Sequence, residues 1–141
     1  MVIKVMLDDG AKMPTRAHEA DAGYDLYSPA DYVVWDEDSV VIDTGVHIQI
    51  PKGYVGFLKS KSGLNVKHNL VGEGVIDSGY TGSIKVKLYN NGHKLLDRYH
   101  IKKGDKIIQL VLLPIITPEL QQVDEFEETE RGTGGFGSTG R

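Results

Sequence analysis

Ile84-Lys85-Val86-Lys87-Leu88 alternates apolar and lysine side chains residue by residue. Successive side chains of an extended strand point to opposite faces, so the three apolar residues share one face and both lysines the other. This is the period of a half-buried β-strand. Similar short runs recur on both sides: Val2–Leu7, Tyr32–Trp35, Val40–Ile42, Val46–Ile50, Tyr54–Leu58, Val71–Ile76 and Ile107–Leu113. Turn formers separate them, among them Asp9-Gly10, Ser28-Pro29, Pro51-Lys52-Gly53, Asp77-Ser78-Gly79, Asn90-Asn91-Gly92 and Lys103-Gly104-Asp105. No window of about twelve residues carries apolar positions at helical spacing without Gly or Pro interrupting, apart from one short helical segment expected near Leu64–His68. Many short strands at this spacing predict an all-β sandwich or barrel with at most one short helix.

At 141 residues the chain is long enough for one domain with its own core. It has no cysteine, which excludes disulfides, thiol catalysis and cysteine-based metal sites. No apolar run approaches the ~18 residues of a membrane span, and the start has no signal-peptide layout. These features predict a cytoplasmic protein with no membrane partner. The net charge of −4 is unevenly spread: Lys52 to Lys106 carries eleven basic against four acidic residues, and the remainder five against sixteen. A basic middle in an acidic protein argues against nucleic-acid binding and suits a small polyanion held locally.

Five segments combine glycine with polar residues beyond what a bare fold requires. In Ala20-Asp21-Ala22-Gly23-Tyr24-Asp25-Leu26, Asp25 fits either a strand-end carboxylate bonding nearby amides or a group helping to hold hydrated Mg²⁺. In Lys59-Ser60-Lys61-Ser62-Gly63-Leu64 a strand runs toward a helix start. Ser62 is a natural N-cap there and Lys61 adds charge, which makes either a capped turn or an anion site. This is not a P-loop, because the Gly-x4-Gly-Lys-Ser/Thr order is missing.

The third segment, Gly72 to Ile84, reads as a hairpin with a Gly-rich turn bearing Asp77 and Tyr80. Asp77 fits a turn former or a general base, and Tyr80 can pack on a sugar or ring. In Gly104-Asp105-Lys106-Ile107-Ile108-Gln109, the glutamine interrupts an apolar strand and needs a partner, in the core or on a ligand. The last eleven residues contain five glycines around Phe136, flanked by hydroxyls and arginines. Such a tail is costly to order and reads as a free end or as an arm that closes over a ligand. The five histidines show no metal-ligand spacing and are assigned no site, and no Gly-x-Ser-x-Gly elbow is present.

Taken in order, these five segments resemble the five motifs of the trimeric dUTPase family, over nearly the whole chain. The matching strings are Ala20–Leu26, Lys61-Ser62-Gly63-Leu64, Gly74–Gly82, Gly104–Gln109 and Arg131–Gly140. The resemblance implies a jelly-roll-like β fold over residues 1–130, with residues 131–141 as a flexible arm. It implies a homotrimer with shared active sites that hydrolyses dUTP to dUMP and pyrophosphate with Mg²⁺. By the match, Asp77 activates the attacking water, Asp25 supports the metal through water, and Gln109 is the fourth-motif glutamine. Tyr80 packs against deoxyribose, while Gly74, Val75, Ile76 and Lys85 belong to the uracil-reading segment. Lys61, Ser62 and Gly63 lie on the phosphates, and Arg131, Phe136, Gly137, Ser138 and Thr139 form the arm, with Phe136 over the base. Lys61 and Lys106 stand where the family commonly has arginine, which keeps charge but loses the bidentate fork. Two rivals share the scaffold: a dCTP deaminase-type activity, and a non-catalytic regulatory binding protein.

Overall fold

The computed structural model describes residues 1–92 and 98–135. Among them the strands are β1 (Lys4–Leu7), β2 (Gly23–Tyr27), β3 (Tyr32–Trp35), β4 (Ser39–Asp43), β5 (Val46–Gln49) and β6 (Tyr54–Lys59). After the helix α1 (Ser62–His68) come β7 (Leu70–Val71), β8 (Glu73–Ile76), β9 (Lys85–Asn90), β10 (Arg98–Ile101) and β11 (Lys106–Pro114). All pairings are antiparallel, in four sheets: β1-β5, β3-β10, β2-β11-β6-β8 and β4-β9-β7. The described sheets form a jelly-roll-like sandwich, not a closed barrel. None of the described helices is long and apolar enough to cross a membrane.

The alternation in β9 is realised in full: Val86, Leu88 and Asn90 are buried, while Lys85, Lys87 and Tyr89 are exposed. Buried Asn90 is satisfied, donating from Nδ2 to the Val34 carbonyl at 3.1 Å and accepting from the Gly92 amide at 3.0 Å. Its neighbours Val86 and Leu88 join Leu26, Ile42, Ile84, Ile108 and Leu110 in one core shared by the sheets. Burial of such aliphatic side chains is the main force holding the layers together, at about 1.5–3 kcal/mol each.

Three departures from the sequence expectation have physical causes. Val71–Ile76 is not one strand: β7 pairs with β9 and β8 with β6, and the break falls at Gly72. A Cβ at Gly72 would lie 2.9 Å from both Leu88 Cδ2 and the Lys87 carbonyl, so only glycine lets the chain cross between layers there. The strand β10 was not expected, because Arg98-Tyr99-His100-Ile101 is too polar to read as one; it forms by pairing with β3. The helix starts at Ser62 with Lys61 as N-cap and no side-chain cap bond, so Ser62 is the first helical residue instead of the cap. The helix ends at Asn69, in the left-handed conformation (φ 53°) that asparagine tolerates.

Candidate active site

In the four-stranded sheet, Asp25, Gln109, Lys59 and Glu73 are register partners across β2, β11, β6 and β8. Directly opposed residues share a face, so these four form one polar row on the outer side of the sheet. Leu26, Leu58, Ile108 and Leu110 fill the inner side. Asp25 is nonetheless buried, at 7% exposure. It is roofed by two lysines: Lys61 Nζ donates to Oδ1 at 2.5 Å and Lys106 Nζ to Oδ2 at 2.8 Å.

The two lysines reach Asp25 by different routes. Lys61 stands where the chain leaves β6 for α1. Lys106 depends on an irregularity in β11, where Lys106 pairs with Tyr27 but Ile108 already pairs with Leu26. This bulge lets Ile107 and Ile108 both point into the core, at 1% and 0% exposure. Strict alternation would have put Lys106 on the core face with Ile108; the extra residue returns it to the face of Asp25. Burial pushes the Asp25 carboxyl up, but the bonds and charges of Lys106 and Lys61 outweigh it and hold the group below the ordinary carboxylate value. The same contact raises Lys106. The cluster is one ionised carboxylate under two cations, an environment that attracts anions.

Gln109 Nε2 donates to the Ser60 carbonyl at 3.2 Å. Ser60 Oγ in turn bridges the carbonyl and amide of Gly72 at 3.0 and 2.9 Å, tying the end of β6 to the layer crossing. Gly23 makes room for the glutamine, since a Cβ there would lie 2.4 Å from Gln109 Oε1. Ser62 and Gly63 are exposed in the first turn of α1, where helical amides lack intrahelical acceptors.

Asp77 and Tyr80 lie elsewhere. Both are exposed, in a turn closed by the Tyr80 amide donating to the Asp77 carbonyl at 3.2 Å, with Gly79 at φ +87°. The expected hairpin is not ladder-paired: β8 belongs to the four-stranded sheet and β9, with Lys85, to the three-stranded one. Ile84 is pulled away from β8 because its amide donates to the Val46 carbonyl at 2.8 Å and its own carbonyl accepts from Thr44. The two strands therefore splay around the turn. On its far side β8 has no described partner strand, which leaves backbone groups of Gly74, Val75 and Ile76 along an edge. Tyr80 Oη donates to the Ser83 carbonyl at 3.0 Å, and its ring lies over Gly82.

Asp25 and Asp77 are not brought together within one chain. Asp25 is on the β2 edge and Asp77 just past the end of β8 on the other edge, three strand spacings away. That is roughly 14 Å across the sheet alone at ~4.8 Å per spacing. Asp77 also lies four residues further along the strand direction than Glu73, the β8 residue level with Asp25. Arg131 is exposed and donates from Nε to the Gly134 carbonyl at 3.1 Å. Phe136, Gly137, Ser138 and Thr139 lie outside the described residues. Among the described residues no group of three or more His, Cys, Asp or Glu could hold a metal ion. Both Asp25 oxygens already accept from ammonium groups, so the carboxylate offers a cation no direct ligand and meets a hydrated one only through water, alongside the charge of a bound polyanion. A hollow of about 490 Å³, lined by Ile3, Val5, Tyr24, Ile48, Leu110 and Leu112, opens on the core side of β2 and β11 and contains none of these groups.

Sequence reasoning missed the side chains that support the Asp77 turn: Asp43, Thr44, His47 and Ser83. Their bonds join positions 34 to 40 residues apart, which no local pattern announces.

A family model described as dUTPase matches residues 9–140. A rat protein named deoxyuridine 5'-triphosphate nucleotidohydrolase is 44% identical over 97% of this chain, which spans 66% of that relative's length. Among solved structures, a variant of the dUTPase of Staphylococcus bacteriophage 80alpha with dUpNHpp superposes with a TM-score of 0.92 at 39% identity, covering 99% of both chains. A variant dUTPase of phage phi11 of S. aureus, described as revealing the coordination of a structural Mg(II) ion, superposes with a TM-score of 0.83 at 38% identity. It covers 91% of this chain and 100% of its own.

Proposed function

This chain belongs to the dUTPase family, and on that premise we propose that it is a dUTP diphosphatase, hydrolysing dUTP to dUMP and pyrophosphate. The observation that carries the site assignment is the Lys61–Asp25–Lys106 cluster beside Gln109. A triphosphate arriving there meets two ammonium groups that a single carboxylate only half neutralises. The exposed amides of Ser62 and Gly63 add donors for the same phosphate oxygens. Asp25 would hold Mg²⁺ through water, and when bound the ion would neutralise charge developing on the phosphate oxygens. Gln109, fixed on Ser60, presents its amide to the reacting region.

Asp77 is the general base, taking a proton from the water that attacks the α-phosphorus, and such assistance is typically worth ~10²–10⁴-fold in rate. Tyr80 packs against deoxyribose, while uracil is read by the edge groups of Gly74–Ile76 with Lys85 nearby. Because Asp25 and Asp77 lie on opposite sheet edges, one chain does not present both to one α-phosphate. This supports a homotrimer in which each site takes the Asp77 turn from one subunit and the Asp25 cluster from another. Residues 131–141, with Arg131 on phosphate and Phe136 over the base, act as the closing arm of an otherwise compact 1–130 domain. The cysteine-free sequence, which needs no oxidising compartment, fits a cytoplasmic enzyme.

Pyrophosphate release with dUTP, dCTP, dTTP and UTP, with and without Mg²⁺, tests this reading, together with ammonia release from dCTP. Rapid, Mg²⁺-dependent cleavage confined to dUTP is expected. Ammonia release would instead establish the deaminase, and inertness to all four a binding protein. Asp77→Asn should fold and bind dUTP while turnover falls by about 10²-fold or more. A near-normal rate would remove Asp77 from the base role.

A further inference from the structure

The turn that carries Asp77 and Tyr80 is fastened to the β4–β5 corner by side chains that the proposed reaction does not use. At its C-terminal end Thr44 donates twice to the Ile84 carbonyl, from its amide at 3.0 Å and its hydroxyl at 2.7 Å. One residue earlier, Ser83 Oγ bonds the Asp43 carboxylate, which also accepts from the Gly45 amide at 3.1 Å. Closest to the reacting groups, the Thr81 carbonyl lies 2.8 Å from His47 Nδ1. The other ring nitrogen, Nε2, lies 3.2 Å from Asp8 Oδ1.

Both atoms facing the imidazole are acceptors. A carbonyl has no proton to give, and neither does an ionised carboxylate, whereas a neutral imidazole carries only one N–H. Both bonds form together only in the imidazolium form. The Thr81 carbonyl first, and the Asp8 carboxylate next, raise the His47 pKa above its ordinary value of 6.5.

We infer that His47 is a positioning residue for the reaction: through Thr81 it fixes the segment bearing Asp77 and Tyr80, and it does so fully only when doubly protonated. This inference rests on the assignment of Asp77 and Tyr80 made above. The charged groups around the ring are Asp8 from the turn after β1, Asp43 from the end of β4, Lys4 of β1 across a shared hollow, and Lys85 of β9 beside Asp43. The nearest are acidic, so they favour the imidazolium. A histidine whose folded pKa is raised contributes fully below pH 6.5 and loses that contribution as pH rises through the folded value. Above that value one of the two bonds is forfeited. A ring protonated on Nδ1 keeps Thr81 but loses its anchor on Asp8, and one protonated on Nε2 releases Thr81. In either tautomer the segment between Tyr80 and Ser83 is held less firmly.

The test uses the whole protein, with Asp8→Asn, His47→Gln and His47→Leu. Asp8→Asn should lower the midpoint of the His47 ring titration seen by NMR, and the alkaline fall in kcat/KM should move with it. His47→Leu should speed amide hydrogen exchange at Tyr80–Ser83 and cut kcat/KM about tenfold, the scale of one charge-assisted hydrogen bond. His47→Gln, which keeps a donor for Thr81, should recover part of that loss and flatten the pH profile. Unchanged exchange in His47→Leu, or a pH profile indifferent to Asp8→Asn, would overturn the inference. Wild-type turnover by Asp77→Asn would strike the base assignment instead, while exchange and ring titration would still decide the role of His47.

Discussion

Gly82→Ala should damage the chemistry while sparing the fold. An ideal Cβ at Gly82 would stand 2.4 Å from Tyr80 Oη and 2.6 Å from Cζ. Ordinary carbon contacts begin at about 3.5 Å, so the ring must retreat by roughly 1 Å. Nothing in the backbone opposes the substitution, because Gly82 lacks the left-handed φ that makes Gly79 intolerant. Tyr80 is 44% exposed, so the ring can move without opening a cavity. Stability should fall by no more than about 1 kcal/mol, the net worth of the Tyr80–Ser83 hydrogen bond.

The cost of that retreat appears in the substrate. A sugar face losing about 40 Å² of contact with the ring gives up about 1 kcal/mol. With the ring no longer held in place, kcat/KM for dUTP should drop on the order of tenfold. UTP should lose less, because the displaced ring leaves room for a 2'-hydroxyl, so the dUTP/UTP ratio should narrow. Pyrophosphate release with both nucleotides, alongside a thermal melt, measures all three quantities. If both kcat/KM values match wild type while Tm is unchanged, Tyr80 does not line the sugar site.

Asp25→Asn should lower Tm at neutral pH, and the deficit should shrink as pH falls. A carboxylate with a lowered folded pKa contributes fully above its ordinary value of 3.8 and loses that contribution below it, so paired melts at pH 7 and pH 3 check the sign. Truncation after Glu130 should leave Tm within about 2 °C of wild type yet abolish most activity. The described hydrogen bonds of residues 131–135 run only to one another and to Thr129, so the melt should not register their loss. Mixing truncated subunits with Asp77→Asn subunits should restore some turnover in hybrid assemblies, and no recovery would count against sites shared between chains.

The strands that bury one face were legible in the sequence, because alternation survives wherever a single side meets the core, as in β9. What escaped was set by contacts between distant segments. The β10 ladder depends on β3, and the break at Gly72 depends on Leu88 and Lys87 lying across it. The bulge in β11 escaped for a different reason. Ile107-Ile108 reads as a plain apolar run, and only the pairing with β2 reveals that one residue is extra. Of the candidate site, the five glycine-bearing segments located Asp25, Lys61 and Gln109, and the structure gathers these with Lys106 into one cluster. The same segments gave no hint that Asp77 stands on the opposite sheet edge, or that His47 reaches its turn.

That strand order also separates being folded from being active. If each site takes the Asp77 turn and the Asp25 cluster from different subunits, as proposed, a solitary subunit completes its core yet lacks half of the chemistry. Specific activity should then decline on dilution, with no change in its β-sheet circular dichroism. Catalysis then reports protein concentration as much as substrate. A surface substitution that merely loosens the contact between subunits would silence the enzyme without touching a reacting group.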